Sequence, residues 1–357
     1  MQANLFSPLQ LRDVRLRNRI GVSPMCQYSS VDGFANDWHL VHLGARAVGG
    51  AAMVMTEATA VVPEGRISPQ DLGLWKDEQI EMLARIFRFL EEHGAVPAMQ
   101  LAHAGRKAST SAPWLGGDPV SEADGGWRPI FAPTAEAFEE GDIVPQELDH
   151  AGIQHVVQNF ARAAQRALTA GAKIIEIHAA HGYLIHEFFS PLSNKRTDQY
   201  GGSFENRTRI ARETVEAVRG VWPERYPLLV RVSASDWVEG GWDVEQSAEL
   251  AKQLKQLGVD MIDCSSGGAV PHAKIKVGPG YQVPFSEQIR RDAQIATAAV
   301  GMITEPAQAN EIIASGRADM VFLAREFLRE PYWAIKAARE LGVDFGAPVQ
   351  YGRAFTR

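Results

Sequence analysis

The sequence predicts an α/β fold, in which eight parallel strands and eight helices close into a single (β/α)8 TIM barrel. Two observations favour it: one structural unit recurs along the chain, and the number of such units is eight. The chain has 357 residues, of which 45% are hydrophobic and 22% are charged, a composition typical of globular domains. Because barrels of this length commonly form one domain, we expect 1–357 to be a single domain.

The recurring unit is an amphipathic helix, a glycine and a short apolar run. It occurs as RAVGGAAMVMTEA, FLEEHGAVPAMQLA, ALTAGAKIIEIHAA, LKQLGVDMIDCSS and IIASGRADMVFLA. A glycine after a helix adopts the left-handed conformation that turns the chain back, and a continuous apolar run indicates a strand buried on both faces. Three further apolar runs, at 19–25, 228–235 and 299–304, bring the number of strands to eight.

The helices are predicted at about 37–48, 76–92, 149–170, 203–221, 244–257, 286–293, 305–315 and 331–341. The main alternative is an open doubly wound sheet, which usually has fewer units and often carries a G-x-G-x-x-G motif that is missing here. The longest irregular stretch, 103–148, follows strand 3. A loop of this length is usually functional, for example a lid, or else partly disordered.

Composition excludes several classes of function. The net charge of −7, with scattered Lys and Arg, argues against nucleic acid as a partner. We find no apolar stretch long enough to span a membrane and no secretory signal. Two cysteines, Cys26 and Cys264, suit a reducing cytoplasm and are too few to ligate an iron–sulfur cluster or a structural zinc ion alone.

Polar side chains gather where the predicted strands end, which is where TIM barrels place catalytic groups. Those ends carry Ser23, Pro24, Met25 and Cys26, then Glu57 and Ala58, Gln100 and His103, His178 and His181, Arg231, Cys264 and Ser265, Gly301, and Ala324 with Arg325.

The stretch EIHAAHGYLIHEFFSP (176–191) contains three histidines. A metal site would need further ligands, and few carboxylates lie at nearby strand ends. Buried histidines bonded to the backbone are a second alternative, and we assign His186 to it, facing the outside of a short helix. The favoured interpretation is that His178 and His181 donate hydrogen bonds to one carbonyl oxygen, while Tyr183 delivers a proton.

The last two units suggest a phosphate site. Gly301 and Arg325 end strands 7 and 8, and the loops after these strands, with a helix N-terminus, commonly bind phosphate. Arg325 could instead form an ordinary salt bridge. The phosphate interpretation implies a phosphorylated cofactor across the barrel mouth.

Six segments together resemble the old yellow enzymes: SPMCQY (23–28), EATAVVPEGRIS (57–68), QLAHAGRKA (100–108), EIHAAHGYLIHEFFSPLSNKRTDQYGGSFENRTR (176–209), RVSASD (231–236) and GPGYQVPF (278–285). Cys26, Tyr28 and the C-terminal PVQYGR (348–353) are similar to the thermophilic-like, xenobiotic-reductase branch. The resemblance extends from Leu5 to Arg353.

The resemblance implies a TIM barrel that holds FMN noncovalently, takes reducing equivalents from NADPH and reduces α,β-unsaturated carbonyl compounds, with nitro compounds as a further candidate class. It implies flavin contacts from Ser23, Pro24, Met25, Cys26, Ala58, Gln100 and Arg231, and phosphate contacts from Gly301, Ala324 and Arg325. His178 and His181 would bind the substrate carbonyl, Tyr183 would protonate the α-carbon and Tyr28 would contact the substrate.

The resemblance also implies a homodimer or homotetramer in which Arg353, on a C-terminal tail (340–357) at the subunit interface, reaches a neighbouring active site. Cys26 would tune the flavin potential, with simple packing as the alternative, and Cys264 is expected to be structural. The 110–130 segment departs from many members. We expect its Trp114 and Trp127 to anchor the loop, with a wall of the substrate pocket as the alternative.

Five other functions compete with this interpretation. A dienoyl-CoA type reductase would need a cysteine cluster and a second nucleotide domain, and a dihydrouridine-oxidising barrel would need a basic RNA surface. Dihydroorotate oxidation is a further flavin alternative. Outside flavin chemistry, the alternatives are a metal-dependent hydrolase using His178 and His181, or a noncatalytic small-molecule binder.

Overall fold

Eight parallel strands close into a barrel in the computed structural model, which describes residues 3–355. Barrel strands 1 to 8 are, in chain order, Ile20–Val22, Met53–Ala60, Val96–Ala102, Ile174–Ala179, Leu228–Ser233, Met261–Ser265, Ala296–Val300 and Met320–Leu323. Strand 8 pairs with strand 1, placing Val321 opposite Ile20. The TIM-barrel prediction is confirmed.

Helices connect the strands and form the outer layer. The long ones are Asp37–Val48, Ile80–Glu92, His150–Ala170, Arg209–Arg219, Val244–Gln256, Val283–Ala293, Pro306–Ala314 and Trp333–Glu340, and the short ones are Leu184–Phe189, Phe204–Arg207, Arg325–Arg329 and Gly352–Phe355. The helix predicted at 203–221 is therefore divided, and the division falls at Thr208, whose hydroxyl donates to the Phe204 carbonyl at 2.8 Å. The predicted helix-to-strand glycines have positive φ, from 73° to 100°, at Gly50, Gly94, Gly171, Gly258 and Gly316.

One predicted strand is wrong in position. Strand 7 covers Ala296–Val300 rather than 299–304. Gly301 and Met302 have φ values of 117° and 48°, and two successive residues with positive φ cannot continue an extended strand. The apolar run AVGMIT continues past the end of the strand. Its residue Ile303 is buried although it lies in the loop and not in a strand.

Two apolar layers hold the barrel together. Inside it, Met53, Leu229, Met261 and Phe322 pack with the N-terminal hairpin Leu9–Leu11/Val14–Leu16. Because a side chain at Gly21 would begin 2.2 Å from the Phe322 ring, only glycine leaves that ring room. The second layer lies between strands and helices and includes Phe87, Phe160 and Leu254. No helix among residues 3–355 is long and apolar enough to cross a membrane.

The loop after strand 3 is ordered by short elements. It contains turns at Gly105–Lys107, Pro113–Leu115 and Glu122–Asp124, and a strand pair, Phe131–Ala132/Gln146–Glu147. The C-terminal tail packs back on the barrel, where Phe345 contacts Phe6 with ring centroids 5.3 Å apart.

Candidate active site at the mouth of the barrel

The three residues predicted to handle substrate lie together at the end of strand 4. The His178 and His181 rings are perpendicular with centroids 5.2 Å apart. The Tyr183 ring centroid is 4.9 Å from that of His178 and 6.5 Å from that of His181. His181 has φ of 61°, a conformation unfavourable for a residue with a side chain. This turn brings His181 and Tyr183 onto the same side as His178.

Both histidine rings are neutral in this environment. Burial lowers the pKa of His178 and His181 well below the ordinary value, and the charge of Arg231 lowers it further. The His178 Nδ1 accepts the Ala180 backbone N–H at 3.2 Å, which places the ring proton on Nε2. Burial raises the pKa of Tyr183, so its hydroxyl keeps its proton.

Three polar residues hold His181 in place, of which sequence analysis selected Ser265 at its strand end but neither Lys107 nor Ser233. The Lys107 Nζ donates to the His181 carbonyl at 2.9 Å and to the Gly268 carbonyl at 2.7 Å. Ser233 Oγ accepts the His181 N–H at 2.9 Å, and Ser265 Oγ is 2.7 Å from His181 Nε2. A sequence signal existed for each, since Lys107 follows strand 3 and the two serines end strands 5 and 6.

His186 is structural, as predicted, but its predicted outward position is wrong. Its side chain is fully buried, with Nε2 3.0 Å from an Asp236 carboxylate oxygen and Nδ1 accepting the Gly182 N–H at 2.8 Å. The helix Leu184–Phe189 is buried on every side, so it has no outer face for His186 to occupy. Burial of the His186 ring is possible because the buried carboxylate of Asp236, distant in sequence, lies beside its Nε2.

The geometry does not favour the metal interpretation of this stretch. Within residues 3–355, the one group of three His, Cys, Asp or Glu side chains with ligand atoms close enough for a metal ion is Cys26, Glu57 and Asp71. Neither His178 nor His181 belongs to it.

The strand register arranges the residues at the mouth in two rows, two positions apart on strand 4, which together form one layer. Ala58 lies opposite Gln100, and Gln100 opposite Glu176. His178 lies opposite Arg231, and Arg231 opposite Asp263. The layer therefore spans strands 2 to 6.

A buried charged triad lies in this layer. Arg231 Nε is 3.1 Å from Asp263 Oδ2, and Gln100 Nε2 donates to Glu176 at 2.7 Å. Burial raises the pKa of Asp263 to about 6, against the opposing effect of Arg231. Burial and the Asp263 charge raise the pKa of Glu176, so Glu176 holds a proton and Asp263 compensates Arg231.

Several buried polar atoms at the mouth have no hydrogen-bond partner among the described residues. They are Ser23 Oγ, Gln100 Oε1 and Glu176 Oε2. Burying such groups unpaired is unfavourable, and donors and acceptors in this mixture match the polar edge of a planar heterocycle. Pro24, Met25 and Cys26 are half-buried beside them, and Ala58 is buried.

A cavity lies where the phosphate site was predicted. It has a volume of about 310 Å³ and is lined by Ser265, Tyr281, Gln282, Gly301, Ala324 and Arg325, among others. Arg325 is exposed and forms no salt bridge within the described part of the chain, which disfavours the alternative of an ordinary ion pair. A side chain at Gly301 would begin 2.7 Å from Gln282, so glycine keeps the cavity open.

The two tryptophans of the long loop have different surroundings. Trp127 anchors the loop, since its indole N–H donates to the Glu64 carbonyl at 3.1 Å and its ring stacks under Arg66. Trp114 is 67% exposed and meets the Tyr28 ring edge-on at 5.3 Å. This position favours the alternative of a pocket wall for Trp114.

The two remaining predicted residues differ in burial. Cys264 is fully buried within strand 6, as expected of a structural residue. Arg353 is exposed in the short helix Gly352–Phe355.

Comparison with known proteins adds sequence and fold relatives. Residues 4–343 match the NADH:flavin oxidoreductase / NADH oxidase family. The chain is 52% identical to an NADPH dehydrogenase of Geobacillus sp. (strain WCH70) over 99% of both chains. It is 50% identical to an NADPH dehydrogenase of Bacillus subtilis (strain 168), over 99% of this chain and all of that protein.

Solved structures share the barrel at lower identity. Morphinone reductase superposes with a TM-score of 0.80 at 26% identity, covering 98% of this chain and 92% of that one. A 2-naphthoyl-CoA reductase in complex with 2-naphthoyl-CoA gives a TM-score of 0.85 at 25% identity. That comparison covers 94% of this chain, which spans about half (52%) of the reductase.

Proposed function

This chain belongs to the NADH:flavin oxidoreductase / NADH oxidase family, and on that premise we propose that it is an ene-reductase that acts on α,β-unsaturated carbonyl compounds. FMN is its flavin and NADPH its reductant. The observation that carries the proposal is the pair of neutral histidines beside the protonated Tyr183. Such a group fits a carbonyl oxygen on which negative charge develops.

The residues around the mouth fit FMN. Ser23 and Gln100 would use their unpaired polar atoms at the ring, with the Arg231 guanidinium beside it, and the cavity at Gly301, Ala324 and Arg325 would take the phosphate. Pro24, Met25, Cys26 and Ala58 would line the ring. When bound, FMN would supply the hydride chemistry between NADPH and the β-carbon of the substrate.

Two neutral donors are the appropriate groups for this substrate. Each ring N–H stabilises the enolate oxygen as charge develops on it, and an uncharged donor does not lose its proton to solvent at neutral pH. Fixed backbone contacts, such as that from Lys107 to His181, hold the rings before substrate binds. Orientation of this kind lowers the barrier because no rearrangement is needed in the transition state.

Tyr183 supplies the proton at the α-carbon. Its raised pKa makes it a weak acid that transfers its proton only as carbanion character develops. Tyr28 has φ of 48° and would contact the substrate, with Trp114 extending this wall outward. Small enones are the proposed substrates, with nitro compounds as a second class.

The proposal extends to the assembly. We infer a homodimer or homotetramer in which Arg353, on the 340–357 tail, enters the partner's active site, and a cytoplasmic location stays a prediction from the two unpaired cysteines. Gel filtration would report the assembly directly. If the oligomer forms and Arg353→Ala reduces enones as the native chain does, the assignment of Arg353 is wrong.

Product analysis tests the reaction itself. The protein is incubated with NADPH and cyclohexenone in D₂O without oxygen, and the product is analysed by mass spectrometry and NMR. We expect cyclohexanone with deuterium at the α-carbon, because Tyr183 exchanges its proton with solvent. NADPH consumption without cyclohexanone would contradict the proposal.

A further inference from the structure

A cluster of titratable groups beside the candidate active site takes no part in the proposed reaction. The Cys26 sulfur, one oxygen of Glu57 and one oxygen of Asp71 all lie within 4.8 Å of one another. Glu57 is 4% exposed and Asp71 1% exposed, while Cys26 is half-buried. Two carboxylates thus adjoin the thiol that borders the flavin site.

Backbone hydrogen bonds fix Asp71 in this position. Its Oδ2 accepts the Ile67 N–H at 2.6 Å and the Ser68 N–H at 3.2 Å. Its Oδ1 is buried and makes no hydrogen bond within the described residues. One oxygen therefore holds the side chain, and the other is free to act on its neighbours.

Glu57 is held in a similar way. Its Oε2 accepts the Gln27 N–H at 2.9 Å, and its Oε1 lies 3.2 Å from His39 Nε2. Both carboxylates are positioned by groups other than Cys26, so they would stay in place if the thiol were removed.

A thiolate is strongly disfavoured in this cluster. Two carboxylates this close in a buried site do not both ionise easily, and burial with the Glu57 charge raises the pKa of Asp71 to about 8. Burial raises the pKa of Cys26 well above its ordinary value, and the charges of Asp71 and Glu57 raise it further.

The other titratable groups facing the cluster do not reverse this effect. Tyr28 and Tyr183 face Cys26, and burial raises the pKa of each, so neither is charged at neutral pH. Arg66 faces Asp71 and partly offsets the rise in its pKa. The His39 imidazole lies beside Glu57, with Nε2 3.2 Å from Oε1.

A thiolate here would react with the proposed substrates. Its sulfur would bond to the β-carbon of an enone while the double-bond electrons move to the carbonyl oxygen. A proton from water at the α-carbon would then complete a saturated thioether. The addition needs no oxidant or reductant, and it requires the thiolate rather than the thiol.

We propose that Glu57 and Asp71 are positioning residues that keep Cys26 protonated and so prevent the protein from being alkylated by its own enone substrates. The biological reason rests on the proposed function, but the chemistry of the thiol does not. It can be measured without turnover, so the failure of one is distinguishable from the failure of the other.

The experiment measures the reactivity of Cys26 against pH. In full-length protein carrying Cys264→Ala, iodoacetamide labelling of Cys26 is followed by mass spectrometry from pH 6 to pH 10. We expect an apparent thiol pKa above the ordinary value of about 8.5. An apparent pKa at or below that value would overturn the proposal without any further variant.

A matched variant removes the two charges and keeps both acceptors. Glu57→Gln/Asp71→Asn retains an oxygen for the Gln27, Ile67 and Ser68 N–H groups. Asp71 is about half ionised at pH 8. If each charge contributes about one pKa unit, the thiolate fraction at pH 8 rises about 15-fold, and lower nucleophilicity reduces the gain in labelling rate to about fivefold.

Cyclohexenone without NADPH is the second probe. In the double variant we expect its adduct on Cys26 to accumulate about fivefold faster at pH 8 than in the parent. Rates within twofold of the parent, in protein with an unchanged circular dichroism spectrum, would overturn the proposal. The proposal would also be overturned if Cys26 of the parent protein became reactive when EDTA is added. A metal ion bound to Cys26, Glu57 and Asp71 would then be the cause of its low reactivity.

Discussion

Replacing the two histidines tests the role assigned to the strand 4 loop. His178→Ala and His181→Ala each remove one donor from the position of the substrate oxygen, with the rings only 5.2 Å apart. Loss of one such donor costs about 2.7–4 kcal/mol, or about 10²–10³ in rate. Because both donors act on one oxygen, we expect the double variant to lose about 10³-fold, well short of the product of the two single losses.

The assay separates binding from chemistry. Enone reduction is followed by stopped-flow reoxidation of the prereduced protein, and phenol affinity by spectral titration of the oxidised protein. The rate of enone reduction and the affinity for phenol should both fall. The flavin content should stay unchanged, because neither histidine ring is needed at the phosphate cavity. His93→Ala is the control, since that ring stacks on Phe89 at the end of helix Ile80–Glu92.

Two results would refute the reasoning. A double variant that reduces cyclohexenone at the native rate would exclude the donor pair. A native rate that rises or falls tenfold as pH passes through about 6.5, and loses that dependence in the variants, would show that the rings titrate and are not neutral donors.

Three further predictions follow from the same geometry. Tyr183→Phe should slow reoxidation by cyclohexenone by about 10²–10⁴ and flavin reduction by NADPH far less; equal effects in stopped-flow traces would exclude a proton-donor role. Arg325→Ala should weaken FMN binding at least tenfold in a fluorescence titration with the apoprotein, while riboflavin, which lacks the phosphate, should bind both proteins alike; an equal loss for both ligands would move the phosphate elsewhere. Burial lowers the pKa of His42 to about 3 and that of His103 to about 4, so the folded state binds fewer protons than the unfolded state from about pH 6.5 down to those values, and stability should fall by about 2 kcal/mol per histidine between pH 6.5 and pH 5. Thermal melts of the native protein and of His42→Asn, which should lose less stability over that interval, check this, and identical pH dependence in both would contradict it.

The parts of the fold that follow from local pattern could be predicted from sequence. Helix, glycine and apolar run are each a local signal, and the five glycines do turn the chain with positive φ. The position of strand 7 was not predictable this way, because hydrophobicity alone does not distinguish a strand residue from a buried loop residue such as Ile303.

In the candidate site, too, only the residues with a local sequence signal could be predicted. His178, His181 and Arg231 could be selected because strand ends in a barrel converge. Lys107 and Ser233 were not selected, because their value lies in contacts with His181 that only the closed barrel creates. The burial of His186 depends likewise on Asp236, fifty residues further on in the chain.

The most direct test of the account is an anaerobic spectral titration. The visible spectrum of the purified protein is recorded, NADPH is added without oxygen, and cyclohexenone follows. The account predicts an oxidised flavin spectrum that bleaches with NADPH and returns with the enone. A protein that is colourless and cannot take up added FMN, or a bleached flavin that cyclohexenone leaves reduced, would contradict it.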